Sequence, residues 1–300
     1  MNLSVGENDF LNSFDKVTSK DIGCKNKLDI FVLKTNANEF DYKLLEENLR
    51  DTVIGYSLSR KVSDRLKNRA MQLSHRAKEK FIKYIENDGE LGELLLYCFL
   101  ENHLHAPKIL SKLELKTTNK KYVNGSDGVH YLKIDDENYQ LIFGESKMYE
   151  DLYAAIGEAM DSIKEFKDEL NKKGEEKSGI SFEKHLISDN LVKEFSEEDE
   201  KFIMSLIKPN SDNSYNVDDA FGIFIGYQIE ITKEEKEELT NVQFRENIKN
   251  KINKEIDKMI KSIILRIKNR DLMGHNFYIY IVPFTDININ RKKILGEILN

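Results

Sequence analysis

Cysteine is scarce: Cys24 and Cys98 are the two in 300 residues. Two scattered cysteines supply neither a disulfide framework nor a zinc pattern. Cys98 lies in the apolar run Leu94 to Leu100 and reads as a small buried thiol. Long apolar runs are also missing. No stretch approaches the ~20 residues that span a bilayer. The opening residues, MNLSVGENDF, are polar and acidic, unlike a secretory leader. These absences predict a soluble cytoplasmic protein without a membrane partner. No Gly-x-x-x-x-Gly-Lys-Ser/Thr loop occurs, so ATP chemistry is not expected in this chain. No Ser/His/Asp nucleophile pattern, internal repeat or low-complexity tract is discernible. A basic excess is absent as well: the formal net charge is −7. That argues against a non-specific nucleic-acid coat and confines any contact with DNA to local patches.

What is present describes a folded chain. It is 40% hydrophobic and 33% charged, with 16 Phe and 13 Tyr and both charge signs interspersed. Two segments are locally basic. Residues 60–80 carry Arg60, Lys61, Arg65, Lys67, Arg69, Arg76, Lys78 and Lys80 against Asp64 and Glu79. Residues 245–270 carry Arg245, Lys249, Lys251, Lys254, Lys258, Lys261, Arg266, Lys268 and Arg270 against Glu246, Glu255 and Asp257. Each reads equally well as an ordinary solvated helix face. Residues 158–200 are mainly acidic.

Periodicity and turn chemistry give an element order. Leu28 to Leu33 reads as a strand, and Leu44 to Tyr84 as helical. Asn87-Asp88-Gly89 marks a break, and Glu90 to Leu104 is an apolar helix followed by Pro107. Strands are expected at Ile109 to Thr117, Gly128 to Ile134 and Tyr139 to Lys147. A turn falls at Asn124 to Gly128. Glu150 to Asn171 is a helix with Leu152, Ile156, Ala159, Ile163 and Phe166 on one face. Lys172 to Ser181 is a loop. Ser196 with Asp199 opens a short helix over Glu197 to Ile207 in the manner of a capping box. Pro209 to Asn216 is a loop, Ala220 to Ile231 a strand, and Thr232 to Ile267 one long amphipathic helix. Asn276 to Pro283 is a strand and Asn290 to Leu299 a terminal helix. The order predicts an α/β fold, a mixed central sheet flanked by helices. The division expected is a mainly helical N-terminal extension, 1–85, and a core, 86–300.

The chemistry centres on the strand ending Leu141-Ile142-Phe143-Gly144-Glu145-Ser146-Lys147. Alternation puts Tyr139, Leu141, Phe143, Glu145 and Lys147 on one face. A carboxylate and an ammonium thus extend an apolar stripe and need partners there. A metal ion and a phosphate would supply them. Asp127 precedes the neighbouring strand. Asp127 and Glu145 can hold one hard cation, Mg2+ or Mn2+, through oxygen. Lys147 would orient the attacking water and offset developing negative charge. On the preceding helix Glu90, Glu93, Tyr97 and Glu101 share a face. Glu93 is the choice for a further ligand or water-holding base, with Glu90 the alternative. His130 reads as a core or surface histidine rather than a ligand, and His103 and His105 do not converge on a helix.

Helix (Glu), strand (Asp), strand (Glu-x-Lys), helix resembles the PD-(D/E)XK nuclease core, of restriction-endonuclease type. The stretches GELGELLLY, NGSDGVHYL and IFGESK, with FGIFIGY and YIYIVPF, resemble the HamA subunit of Hachiman anti-phage defence systems, most strongly over residues 89–160. The resemblance implies a nuclease that works with a HamB-like ATP-dependent helicase and damages DNA when phage interferes. Glu145 and Lys147 match the family's Glu-x-Lys and Asp127 its strand acid. Ser126 stands where the superfamily often has Pro. The rival readings are a nuclease fold kept only as a docking module for a helicase, and a nuclease directed at RNA. Expected docking surfaces are residues 1–85 and the acidic stretch around Glu194 to Glu200.

Overall fold

The computed structural model describes residues 3, 9–23, 26–82, 89–110, 113, 125–208 and 215–299, the side chains of 192–194 excepted. Cys24, the turn residues Asn87, Asp88 and Asn124, most of the strand expected at 109–117, most of the loop at 209–216 and the Glu194 side chain lie outside them.

The N-terminal strands are β1 (Phe14–Asp21) and β2 (Lys27–Leu33), with a small ribbon of β3 (Thr35–Asn36) and β4 (Glu39–Phe40). Four helices follow: α1 (Tyr42–Arg50), α2 (Thr52–Ser57), α3 (Arg60–Leu66) and α4 (Ala70–Ile82). Then come α5 (Glu90–Asn102), β5 (Lys108–Leu110), β6 (Val129–Lys133) and β7 (Asn138–Tyr149). The next helices are α6 (Leu152–Asp168), α7 (Ile180–Glu194) and α8 (Glu197–Ile207). Last are β8 (Asn216–Gln228), α9 (Lys233–Glu238), α10 (Asn241–Asn269), β9 (Asn276–Phe284) and α11 (Ile287–Leu299).

Seven strands form one mixed sheet in the order β1-β2-β9-β8-β7-β6-β5. β7, β8, β9 and β2 run parallel, while β5-β6-β7 is an antiparallel meander and β1 returns antiparallel on β2. Helices cover both faces, as the sequence predicts. On one face Phe99 of α5 stacks on Phe224 and Tyr280. On the other, Phe166 of α6 meets Phe143, and Ile156 and Met160 of α6 gather with Ile263 of α10 against Ile223, Ile225 and Ile279. Parallel strands buried on both faces read as continuous apolar runs, which is why FGIFIGY and YIYIVPF show little alternation.

Four expectations are corrected. Residues 44–84 do not form a single helix. Local breaks interrupt the apolar spacing: Asp51 separates α1 from α2, and Ser59 caps α3 through Val62 N–H after the extended Leu58. Thr232 to Ile267 is two helices. Leu239 and Thr240 are extended, and Thr232 with Glu235 and Thr240 with Gln243 each close a capping box, so a second N-terminus is written into the sequence. α7 was not anticipated; only its first two residues overlap the loop expected at 172–181. The cap at Ser196 is as expected, its hydroxyl accepting from Asp199 N–H. The division at residue 85 does not follow the sheet, because β2 pairs with β9 and buries Leu28, Ile30 and Leu33 completely. Cys98 is a fully buried thiol, its pKa raised by burial. Among the described residues no helix is long and apolar enough to cross a membrane.

Candidate active site

Glu145 and Lys147 lie on the α6 face of β7, past the point where Phe143 closes the apolar stripe. Their side chains are 16% and 22% exposed, and Lys147 Nζ stands 2.5 Å from Glu145 Oε1. The two charges thus meet the demand for partners by bonding along one strand. Burial opposes the charge on Lys147, but Glu145, and Asp127 behind it, hold the ammonium pKa above the ordinary lysine value.

Asp127 sits where β6 and β7 separate. Gly144 N–H donates to Gly128 O, and Asp127 N–H donates to Gly144 O, both at 2.9 Å. One step further the ladder has no backbone acceptor from this strand. The Asp127 side chain takes that place: its Oδ2 accepts from Ser146 N–H at 2.7 Å and from the Ser146 hydroxyl at 2.8 Å. The carboxylate is thereby clipped to β7 at the residue between Glu145 and Lys147. The turn carrying it is held from the far side by α7. The buried Glu183 accepts from Ser126 N–H at 2.8 Å.

α5 packs against this spot through Gly92. A Cβ there would stand 3.2 Å from Ser146 Oγ and 3.3 Å from Met148 Cγ, so the absence of a side chain lets the helix reach the strand. The approach brings both helix acids in. Glu93 is partly exposed and accepts a hydrogen bond from Tyr56 of α2 at 3.2 Å, while Glu90 is wholly buried. Burial, with the fields of Glu93, Glu90 and Asp127, holds the Tyr56 phenol well above its usual pKa. Glu93 and Asp127 therefore face one neighbourhood. Glu101, further along the same helix, is elsewhere: its carboxylate accepts from Lys108 N–H at 2.8 Å. His130 is a buried core histidine whose Nδ1 lies 2.8 Å from Ala106 O.

Among the described residues no group of three or more His, Cys, Asp or Glu side chains is arranged to hold a metal ion. Two carboxylates, Asp127 and Glu145, flank the fork. Two hard oxygen donors fit a Mg2+ or Mn2+ that keeps most of its waters, and they are too few for a closed zinc cage.

A family model for HamA matches residues 8–298, nearly the full length. The chain belongs to the HamA family. No curated protein matches the sequence. HamA membership points to a role in Hachiman defence. Within this HamA-family fold, the spacing of Glu145 and Lys147, the position of Asp127 and the acids of α5 were all legible in sequence. Ser146, Tyr56 and Glu183 were not. Ser146 lies inside the motif, and a hydroxyl between Glu and Lys was the available signal. Nothing local marked Tyr56 or Glu183, which arrive from distant helices.

Proposed function

We propose that this HamA-family chain is a Mg2+-dependent deoxyribonuclease of PD-(D/E)XK type, acting in anti-phage defence with an ATP-dependent helicase partner. The observation that carries the reading is the clip of Asp127 onto Ser146, which sets one carboxylate beside the Glu145–Lys147 pair at the mouth of two diverging strands. Asp127 and Glu145 would hold the metal, which when bound polarises a phosphodiester oxygen and lowers the pKa of its water. The chain's own groups do the rest. Ser146 fixes Asp127 with two donors, so no reorganisation is needed when substrate arrives. Lys147 exchanges its bond to Glu145 for the phosphate or the attacking water and offsets negative charge as it builds. Glu93, held by Tyr56, is placed to accept a proton or orient water.

Control is assigned to the partner. A nuclease without base readout is lethal when always on, and the chain has no nucleotide-binding loop of its own. The acidic first turn of α8, Glu197 to Glu200, is one docking surface for the helicase; exposed parts of residues 42–82 are the other. The rival reading, a silent docking module, draws on the same ion pair, since Glu145 and Lys147 satisfy each other without a ligand. Purified chain, with and without its helicase, is incubated with plasmid in Mg2+ or EDTA, alongside Glu145→Gln. Nicking or linearisation that needs Mg2+ and disappears in the variant supports the nuclease. Cleavage by the variant equal to the parent, or none by the parent even with helicase and ATP, sinks it. RNA cut in preference to DNA would redirect the substrate.

A further inference from the structure

Two arginines one turn apart on α10 are treated differently by the fold. Arg270 makes an ordinary structural ion pair: its Nε donates to Asp161 Oδ1 of α6 at 2.6 Å, and Nη2 lies 2.5 Å from the same oxygen. Arg266 forms no ion pair among the described residues. It is nonetheless held in place. Its guanidinium carbon lies 4.1 Å from the centroid of the Tyr153 ring, and Nε donates to Ser262 Oγ at 3.3 Å. Beneath it is Gly157 of α6, where a Cβ would come 2.7 Å from Nη1. Any larger residue would push the guanidinium off its seat. Tyr153 is itself 55% exposed, so the stack faces solvent. A planar cation laid flat on an aromatic ring, with its Nη donors lacking a protein acceptor among the described residues, is preorganised for an anion from outside.

The stack stands at the start of the helix that follows the strand of the candidate active site. Tyr153 lies in the first turn of α6, six residues after Lys147, so the chain permits a separation of at most about 20 Å. Tyr153 and Gly157 meet Arg266, and Asp161 meets Arg270, so α6 and α10 run side by side in the same direction. The part of α10 before Arg266 therefore extends past the start of α6, on the side where β7 delivers Glu145 and Lys147. Burial holds the Glu255 carboxyl above its ordinary pKa, and the charges of Lys258 and of Asp151, the N-cap of α6, also act on it. Lys254, Lys258 and Lys261 recur at i, i+4 and i+7, opposite the buried Ile252, Ile256 and Ile263. All three are exposed, and none forms an ion pair among the described residues. Asp257, the acid within this run, is taken by Lys20. Lys258 and Arg266 are eight residues apart, about 12 Å along the helix.

Resting on the nuclease reading, we propose that Arg266 on its Tyr153 seat, with Lys254, Lys258 and Lys261, is the track that grips the sugar–phosphate backbone of DNA at the end of the sheet where β7 delivers Glu145 and Lys147. The chain's net charge is −7, so a local track of this kind is what brings a polyanion to an acidic molecule. The contacts are to phosphate and carry no base readout.

The test is binding of a fluorescein-labelled duplex by the full chain, read by anisotropy in EDTA. The Glu145→Gln background removes cleavage. Arg266→Gln should weaken binding roughly fivefold at about 50 mM salt and lower the salt slope by about one. The Lys254→Gln/Lys258→Gln/Lys261→Gln triple variant should lower it by about two to three. Tyr153→Phe should bind like the parent and Tyr153→Ala like Arg266→Gln, while Lys268→Gln, further from the α6 start, should lose less than the triple variant. Thermal unfolding of each variant separates lost contact from lost fold. Unchanged affinity and salt slope in Arg266→Gln and in the triple variant, or no binding by the parent, overturns the track. The nuclease reading falls on different data. A parent that binds through these residues yet never cuts plasmid with Mg2+ keeps the track and loses the activity.

Discussion

Asp127 stands where a strand would offer a carbonyl. It replaces that carbonyl with a carboxylate and so satisfies Ser146 N–H and the Ser146 hydroxyl. Sequence placed Asp127 near Glu145 through the hairpin order of β6 and β7, but not the clip. If the clip positions the carboxylate, Ser146→Ala keeps the backbone donor and loses the hydroxyl. Cleavage should then fall about tenfold, the value of one hydrogen bond to a charged acceptor, with little change in substrate affinity. Ser146→Thr should restore part of the rate if its methyl is tolerated against Gly92. Steady-state kinetics on plasmid checks this, and a Ser146→Ala enzyme with parental kcat would show that Asp127 needs no such support. Lys147 illustrates the opposite case. Its face and neighbours were legible because alternation along a strand is a local rule. Its bond to Glu145 was not, because rotamers are settled by packing.

At the scale of elements, the joint between α5 and β7 decides whether the acids of the helix reach the strand. Gly92 is the joint. Gly92→Ala adds about 1 kcal/mol of helix propensity and introduces a Cβ tight against Ser146 and Met148. The expected outcome is a thermal stability changed by no more than about 1 kcal/mol, because these terms oppose, with a clear loss of cleavage. Differential scanning calorimetry beside a nuclease assay separates the two; parallel losses would make Gly92 a packing residue only. The break between α9 and α10 carries a different lesson. Thr232-x-x-Glu235 and Thr240-x-x-Gln243 both spell N-termini, yet continuous amphipathic spacing suggests one helix. Caps act on the backbone over a single turn, so they override a periodicity that spans both sides of the break.

Over the whole molecule, the N-terminal strands belong to the sheet that bears the site. β2 lies between β1 and β9, with Leu28, Ile30 and Leu33 fully buried. Deleting residues 1–33 should therefore leave an insoluble or molten chain, not an active core that has lost only its docking arm. Solubility and near-ultraviolet circular dichroism decide this, and a folded, DNA-cutting truncation would contradict it. His130 is one expected source of acid sensitivity. Burial pushes its imidazole down to about 4, against about 6.5 in an unfolded chain. With the folded pKa depressed, its contribution is complete above about pH 6.5 and is lost as pH falls toward 4. Between pH 6.5 and 5 unfolding should become easier by about 2 kcal/mol. His130→Asn, which keeps a donor for Ala106 O, should flatten that slope. An unchanged slope in urea titrations would place the acid sensitivity in another group.

The sequence by itself determined the element order from α5 to α6 and the alternation that sets Glu145 and Lys147 on one face. Each depends on residues close together in the chain. Strand period, helix period and cap chemistry act over a few residues and need no partner to be read. Only the tertiary structure decided which distant helices complete the site. Tyr56, Glu183 and Gly92 come from three helices, and nothing local distinguishes them from other buried tyrosines, acids and glycines. The same holds for β1 and β2. A short apolar segment can pair with any exposed edge, and the choice of β9 follows from the crossovers that lay β7, β8 and β9 side by side and leave the far edge of β9 to β2.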